Sequence, residues 1–451
     1  MTVDVVVIGG GPAGEVCAGR LGERGLEVAL VEKHLIGGEC SFYACMPSKA
    51  LLRPGELLAE ARRVPGAAEA ASGELDAEAV FRRRDQVIHD LDDSSYLPWL
   101  EERGVRTVRG HGRVEGERRV RVGDEVLEAR RAVVVAVGSA PLIPPIPGLE
   151  ESKPWTNRDA TTASVVPPRL AILGGGVVAA EMSQAYTSLG SQVTVIERGD
   201  RLIAREEPFA GQQVAASLTE RGAVLRFGRT VTSVSRNGSV QLVLDDGGEV
   251  EADELLVATG RRLATGDLGL ETIGLEPGKP VETDETLRST SHDWLWAIGD
   301  ANGRALLTHM GKYQGRLAAD GILGEPQQLV SDGPRSPRVI FTDPQVGAVG
   351  WTFAGAKEQG LNVRAVDVET SGNAGGSFVG RNAPGTSRLV VDEDRRVVVG
   401  ATITGAEIAE ALHAATIAVV GEVPLERLWH AVPCFPTRSE LWLRLLEGYG
   451  L

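Results

Sequence analysis

Cys40 and Cys45, five residues apart in GGECSFYACMPSKALLRP, are the side chains of this 451-residue sequence best suited to chemistry. Two neighbouring thiols can open and close a disulfide, or supply half of a metal site. In an ideal helix, Cα atoms at this spacing would lie about 8.5 Å apart, beyond the roughly 7 Å that a disulfide can bridge. The turn between them is therefore expected to be irregular. A helix starting here would favour a thiolate through its unpaired N–H groups and lower the thiol pKa, and Pro47 suits a first helical turn. A zinc site is the competing reading, but no second cysteine pair or histidine cluster completes four ligands, so no metal is assigned. Only Cys17 and Cys434 remain, too few for a secreted disulfide scaffold. A close pair in a reducing cytoplasm, the expected location, reads as redox chemistry.

A second group of residues could hold nucleotides. The segment DVVVIGGGPAGEVCAGRLGERGLEVALVEK, from Asp4, matches RLAILGGGVVAAEMSQAYTSLGSQVTVIER, from Arg169, without a gap, so that Gly9, Gly11, Gly14 and Glu32 fall on Gly174, Gly176, Ala179 and Glu197. In such a unit the first glycine permits a tight turn, the second lets a pyrophosphate approach the backbone, and the third lets helix and strand pack closely; the acid accepts the ribose hydroxyls. One such motif is weak, but two in register are specific. Ala179 is small enough for the third position. Glu197 favours NAD, because a 2′-phosphate would meet a carboxylate, while Arg198 and Arg201 keep NADP possible. Cys17, three residues past Gly14, falls on the helix packed against the sheet and reads as structural.

These residues need particular elements around them. Each copy reads as a buried β-branched strand, a glycine turn, a helix of small residues and a second strand ending in the acid. Two copies imply two doubly wound α/β domains. The strand and proline-rich stretch RAVVVAVGSAPLIPPIPGLE marks a boundary. Further strands follow in ELLVATGRR and in WLWAIGDANG, which ends at Asp300. Beyond Pro334, RVIFTDPQVGAVG and SRLVVDEDRRVVVGATITG read as strands, and AEIAEALHAATIAVV as a helix. The expected domains are 1–150 and 271–333 around the first nucleotide, 151–270 around the second, and an α+β domain over 334–451. A net charge of −15 disfavours nucleic acid and anionic membrane surfaces, and no run of about 18 apolar residues spans a bilayer.

Taken together, GGGPAG, GGECSFYACMPSK, GGGVVAAE, ATGRR, AIGDANG, FTDPQVGAVG and FPTRSE resemble the pyridine nucleotide–disulfide oxidoreductases over the whole chain. That resemblance implies FAD on the first unit, held by Gly9, Gly11, Gly14, Glu32, Lys49, Gly112, Ser139, Asp300 and Thr308. It implies NAD(P) on the second, held by Gly174, Gly176, Ala179, Glu197 and Gly260. Cys45 matches the flavin-proximal thiol and Cys40 the interchange thiol; Lys49 and Glu181 resemble the ion pair beside the flavin. A homodimer through the last domain is implied, with a C-terminal His-Pro-Thr-x-x-Glu motif reaching the partner's site.

The sequence departs from the family there. It reads Phe435-Pro436-Thr437-Arg438-Ser439-Glu440, so Glu440 remains but the base has become phenylalanine. Help typically worth 10²- to 10⁴-fold is missing from that position. His430 is the nearby substitute for that base and Cys434 a third thiol near the pair; their plainer readings are a packing or solvent-facing histidine and a small buried hydrophobe. Two activities stay open: an NAD(P)H:disulfide oxidoreductase acting on a small or protein-bound disulfide or dithiol through Cys40, and a reductase of quinones, metal ions or dyes that needs no thiol base. A non-catalytic flavoprotein subunit is disfavoured by the intact cysteine pair and nucleotide motifs.

Overall fold

Val5, Val6 and Val7 have no exposed surface, as a strand covered on both faces requires. In the computed structural model, which describes residues 1–381 and 383–451, this run is the strand Thr2–Ile8. It pairs in parallel with Val28–Glu32 on one side and Glu125–Val135 on the other. The eleven-residue strand Glu125–Val135 serves two further neighbours: its first four residues pair antiparallel with Arg119–Val122 and its last three pair in parallel with Leu295–Ala297. One face of this sheet is covered by the helices Pro12–Glu23 and Thr308–Ile322, the other by the Gly112–Val122 hairpin and buried apolar residues such as Leu268 and Val281. These elements form a unit of residues 1–47, 85–142 and 261–333.

A second unit comprises residues 48–84, 143–260 and 334–451. The repeated motif lies in a parallel sheet ordered Val224–Phe227, Gln192–Glu197, Arg169–Leu173, Glu254–Val257. Helices Val177–Ser188 and Pro208–Glu220 pack on one face of it, and the three-stranded antiparallel sheet spanning Val231 to Ala252 on the other. Residues from Arg338 onward form a five-stranded antiparallel sheet whose central strand, Val397–Gly405, is buried throughout. Helices Leu412–Val420 and Leu441–Tyr449 cover one side of it.

The helix expected from Ala406 begins only at Leu412. The reason is local. Glu407 has φ 49°, which a helix cannot contain, and the N–H of Ala409 donates to Gln345 Oε1 at 3.0 Å. A side chain from another strand thus takes a backbone group that the first helical turn would otherwise use.

Candidate active site

The first glycine turn is shaped by close approach. Gly9 has φ 108°, and a Cβ there would meet the carbonyl oxygen of Ala136 at 2.3 Å; at Gly14 it would meet the Gly9 carbonyl at 1.9 Å. Gly11 differs, since the nearest atom to its Cβ would be the Gly38 Cα at 4.0 Å. Gly11 is the N-cap of Pro12–Glu23 and provides no side-chain cap, so the helix start presents unsatisfied N–H groups to that space. Glu32 is fixed by two backbone donors, Gly10 N–H to Oε2 and His34 N–H to Oε1, both at 2.7 Å. A pyrophosphate fits this cradle, and a ribose fits the acid beside it.

Ser139 and Asp300 meet through a short hydrogen bond from the serine hydroxyl. Arg261 fixes that serine, donating from Nε to its hydroxyl and from Nη2 to its carbonyl, both at 2.7 Å. Burial pushes the Asp300 carboxyl above its ordinary value, partly offset by the serine hydrogen bond and the Arg261 charge. The first arginine of ATGRR, Arg261, thus anchors Ser139. Gly112 opens the strand Gly112–Gly116, where a Cβ would lie 3.0 Å from both Ile8 and Val31 side chains.

In the second unit, Gly174 has φ 113° and its added Cβ would meet the Ala258 carbonyl at 2.5 Å, while nothing lies within 4 Å of one at Gly176. Ala179 is buried on the helix that follows, so its methyl is accommodated. Glu197 Oε1 accepts the Gly199 N–H at 2.6 Å. Gly260, at φ 142°, has open space around its Cβ position. This turn also leaves open space beside Gly176 at a helix N-terminus.

The irregular turn between the cysteines is a break between two helices: Cys40 lies in Gly38–Phe42, Tyr43 leaves helical geometry at φ −135°, and Cys45 opens Cys45–Arg63. The two thiols hydrogen-bond to each other, and Thr308 Oγ1 is 3.3 Å from Cys45 Sγ. The expected low pKa does not hold for Cys40. Its hydrogen bond to Cys45, burial and the Cys45 charge push it up, against weaker pulls from the Thr308 hydroxyl and the Lys312 ammonium. Cys40 sits mid-way along a five-residue helix, and it is Cys45 that stands at the start of the longer one. Cys17 is fully buried and its thiol is pushed up to about 12 by burial and by Asp320.

In the second unit, Lys49 Nζ is 2.7 Å from Glu181 Oε2. Glu440 Oε2 accepts the Gly375 N–H at 3.3 Å. Within one chain Phe435 is 78% exposed, and His430 and Cys434 are also exposed, so Cys434 is not buried by its own chain. Among the described residues, no group of three or more His, Cys, Asp and Glu could hold a metal ion, and no helix is long and apolar enough to cross a membrane.

Two glycine-turn nucleotide folds and a thiol pair beside the first define a nicotinamide- and flavin-dependent oxidoreductase. The chain belongs to the pyridine nucleotide-disulphide oxidoreductases: that family's model matches residues 3–315, and the model of its dimerisation domain matches residues 336–445. FAD and NAD(P)H are accordingly its cofactors, and it pairs through the C-terminal domain. It is 31% identical to mercuric reductase of Staphylococcus aureus over 97% of this chain and 80% of that one. It is also 31% identical to dihydrolipoyl dehydrogenase of Halobacterium salinarum over 98% and 95%. LpdA from Mycobacterium tuberculosis superposes with a TM-score of 0.88 at 25% identity over the full length of both chains. The HOCl-induced flavoprotein disulfide reductase RclA from Escherichia coli shares the fold, with a TM-score of 0.86 at 23% identity over 98% of this chain and 99% of that one.

Proposed function

We propose that this enzyme carries two electrons from NADH to the Cys40/Cys45 pair and on to a small or protein-bound disulfide. The observation that carries this reading is the contact of the two thiols with each other and of Thr308 with Cys45. FAD, when bound, supplies the relay between nicotinamide and dithiol.

The chain's own residues do the rest. The Cys40 thiolate attacks one sulfur of the substrate disulfide, forming a mixed disulfide and expelling a thiolate that takes up a proton. The Cys45 thiolate then attacks Cys40 Sγ, restoring the Cys40–Cys45 disulfide and releasing the second substrate sulfur as a thiolate. The substrate gains the two electrons that the dithiol loses. Gly9, Gly11, Gly14, Glu32, Gly112, Ser139, Asp300 and Thr308 hold FAD, and Gly174, Gly176, Ala179, Glu197 and Gly260 hold the nicotinamide nucleotide. The Glu197 carboxylate favours NADH over NADPH by repelling a 2′-phosphate. Lys49 with Glu181 orients the flavin side, and Glu440 braces the C-terminal segment. Residues 1–150 and 271–333 form the FAD domain, 151–270 the NAD(P) domain and 334–451 the dimer domain. Use of free thiols suits the cytoplasm.

Phe435 favours a second reading, reduction of quinones, metal ions or dyes, because such acceptors need no proton from a thiol base. Cys40→Ser separates the two. Loss of NADH-dependent reduction for disulfides, with FAD still bound, supports the dithiol route; undiminished reduction of every acceptor removes it.

A further inference from the structure

The helix Thr308–Ile322 begins beside the cysteine pair. Thr308 touches Cys45, and Lys312 stands four positions later, on the same helical face. Gly311 and Gly315 allow this helix to lie hard against Pro12–Glu23: a Cβ would meet the Ala13 side chain at 3.1 Å from the first and the Ala13 carbonyl at 2.6 Å from the second. The two helices thereby bring Lys312 and Glu15 to one cleft of about 390 Å³, which His89 and Tyr96 also line. The cleft reaches the thiols' neighbours, because the Tyr96 hydroxyl donates to Ser41 Oγ at 2.9 Å, one residue from Cys40.

Glu15 is unusual within this cleft. Its Oε2 is buried and finds no hydrogen-bond partner among the described residues. Burial raises its pKa and the Lys312 charge lowers it. The same ammonium acts on Cys40 in the direction that favours thiolate. Cys45 opposes it, acting on Cys40 in the direction that favours the thiol, and Glu39, next in the chain, lies 3.9 Å from Arg261. At the C-terminal position where a base was expected, Phe435 can neither accept a proton nor become a cation.

We infer that Lys312 is a positioning residue for the Cys40 thiolate, supplying from the chain's own first unit the positive charge that Phe435 cannot, with Glu15 opposing it as counter-ion. This rests on the dithiol reading above and deepens it. When Cys40 loses its proton, the ammonium balances the new negative charge in a partly buried place, where a pair interacts more strongly than in water.

The test is thiol alkylation of the FAD-loaded enzyme, independent of turnover. Protein reduced with dithiothreitol, or separately with NADH, is desalted without oxygen and treated with iodoacetamide across roughly pH 5 to 10, with Cys40 followed by peptide mass spectrometry. Lys312→Met should raise the midpoint of the Cys40 profile by about one pH unit and slow alkylation at neutral pH about tenfold. Lys312→Arg should keep the wild-type midpoint, and Glu15→Gln should lower it. A Lys312→Met profile that superimposes on wild type overturns the inference. If Lys312→Met does not retain FAD, the Glu15→Gln profile decides, and an unmoved or raised midpoint overturns it. Wild-type Cys40 that dithiothreitol exposes to alkylation but NADH does not would instead defeat the proposed function, leaving the Lys312 comparison intact.

Discussion

Glu181 is held from two sides: Lys49 Nζ lies 2.7 Å from its Oε2, and the Phe341 N–H donates to its Oε1 at 3.0 Å. Glu181 is 3% exposed, whereas Lys49 also leans over the Phe341 ring at 4.7 Å from its centre. Lys49→Met leaves a buried carboxylate with one backbone donor. It should cost about 2 kcal/mol in urea unfolding, and the double change Lys49→Met with Glu181→Gln should cost less than Lys49→Met alone. Equal losses would mean that the carboxylate does not need its cation.

The two glycine turns should respond differently to a methyl group. Gly14→Ala drives a Cβ to 1.9 Å from the Gly9 carbonyl, so backbone must move; we expect apoprotein or loss of FAD on gel filtration. Gly176→Ala meets no protein atom within 4 Å, so the chain should fold and keep FAD. The methyl would stand where the nicotinamide nucleotide approaches, and KM for NADH should rise about tenfold at little cost in melting temperature.

Glu197 should set the choice of nucleotide. Wild type is expected to show a higher kcat/KM with NADH than with NADPH, and Glu197→Ser should narrow that ratio by roughly tenfold, the equivalent of about 1.4 kcal/mol. A preference for NADPH in wild type would show that Arg198 and Arg201 outweigh the carboxylate.

Phe435→His should restore a base. Disulfide reduction is expected to rise about tenfold, short of the full 10²- to 10⁴-fold, because Glu440 is already engaged by the Gly375 N–H. Reduction of a quinone should be unchanged. A similar gain for both acceptors would place the effect outside proton transfer.

Thiol titration should sort the cysteines by burial. With the pair oxidised, Cys434 should react with a disulfide reagent at pH 8 and Cys17 should not until the protein is denatured. The Cys17 thiol is raised from 9.0 to about 12 in the folded chain, so its contribution to stability is full below the lower value and is lost as pH rises from about 9 towards 12. Cys17→Ala should therefore flatten the alkaline fall of the melting temperature, and an unchanged slope would contradict the burial effect.

Much of this molecule was legible in its sequence because the signals are local. A glycine that must adopt φ above zero, a strand whose every residue is apolar and an acid at the strand's end are decided within about 30 residues, and the repeat stated them twice. The spacing of Cys40 and Cys45 likewise demanded a broken helix, and Tyr43 supplies it. Tertiary structure decided what meets across distance: Thr308 reaches Cys45 over 263 positions, Ser139 reaches Asp300 over 161, and Arg261 reaches Ser139 over 122. It also reversed the expected pKa of Cys40, because desolvation and a neighbouring sulfur depend on packing around the thiol and not on its place in the chain. Periodicity and backbone geometry act within an element; burial and charge act between elements, and only the folded chain sets them.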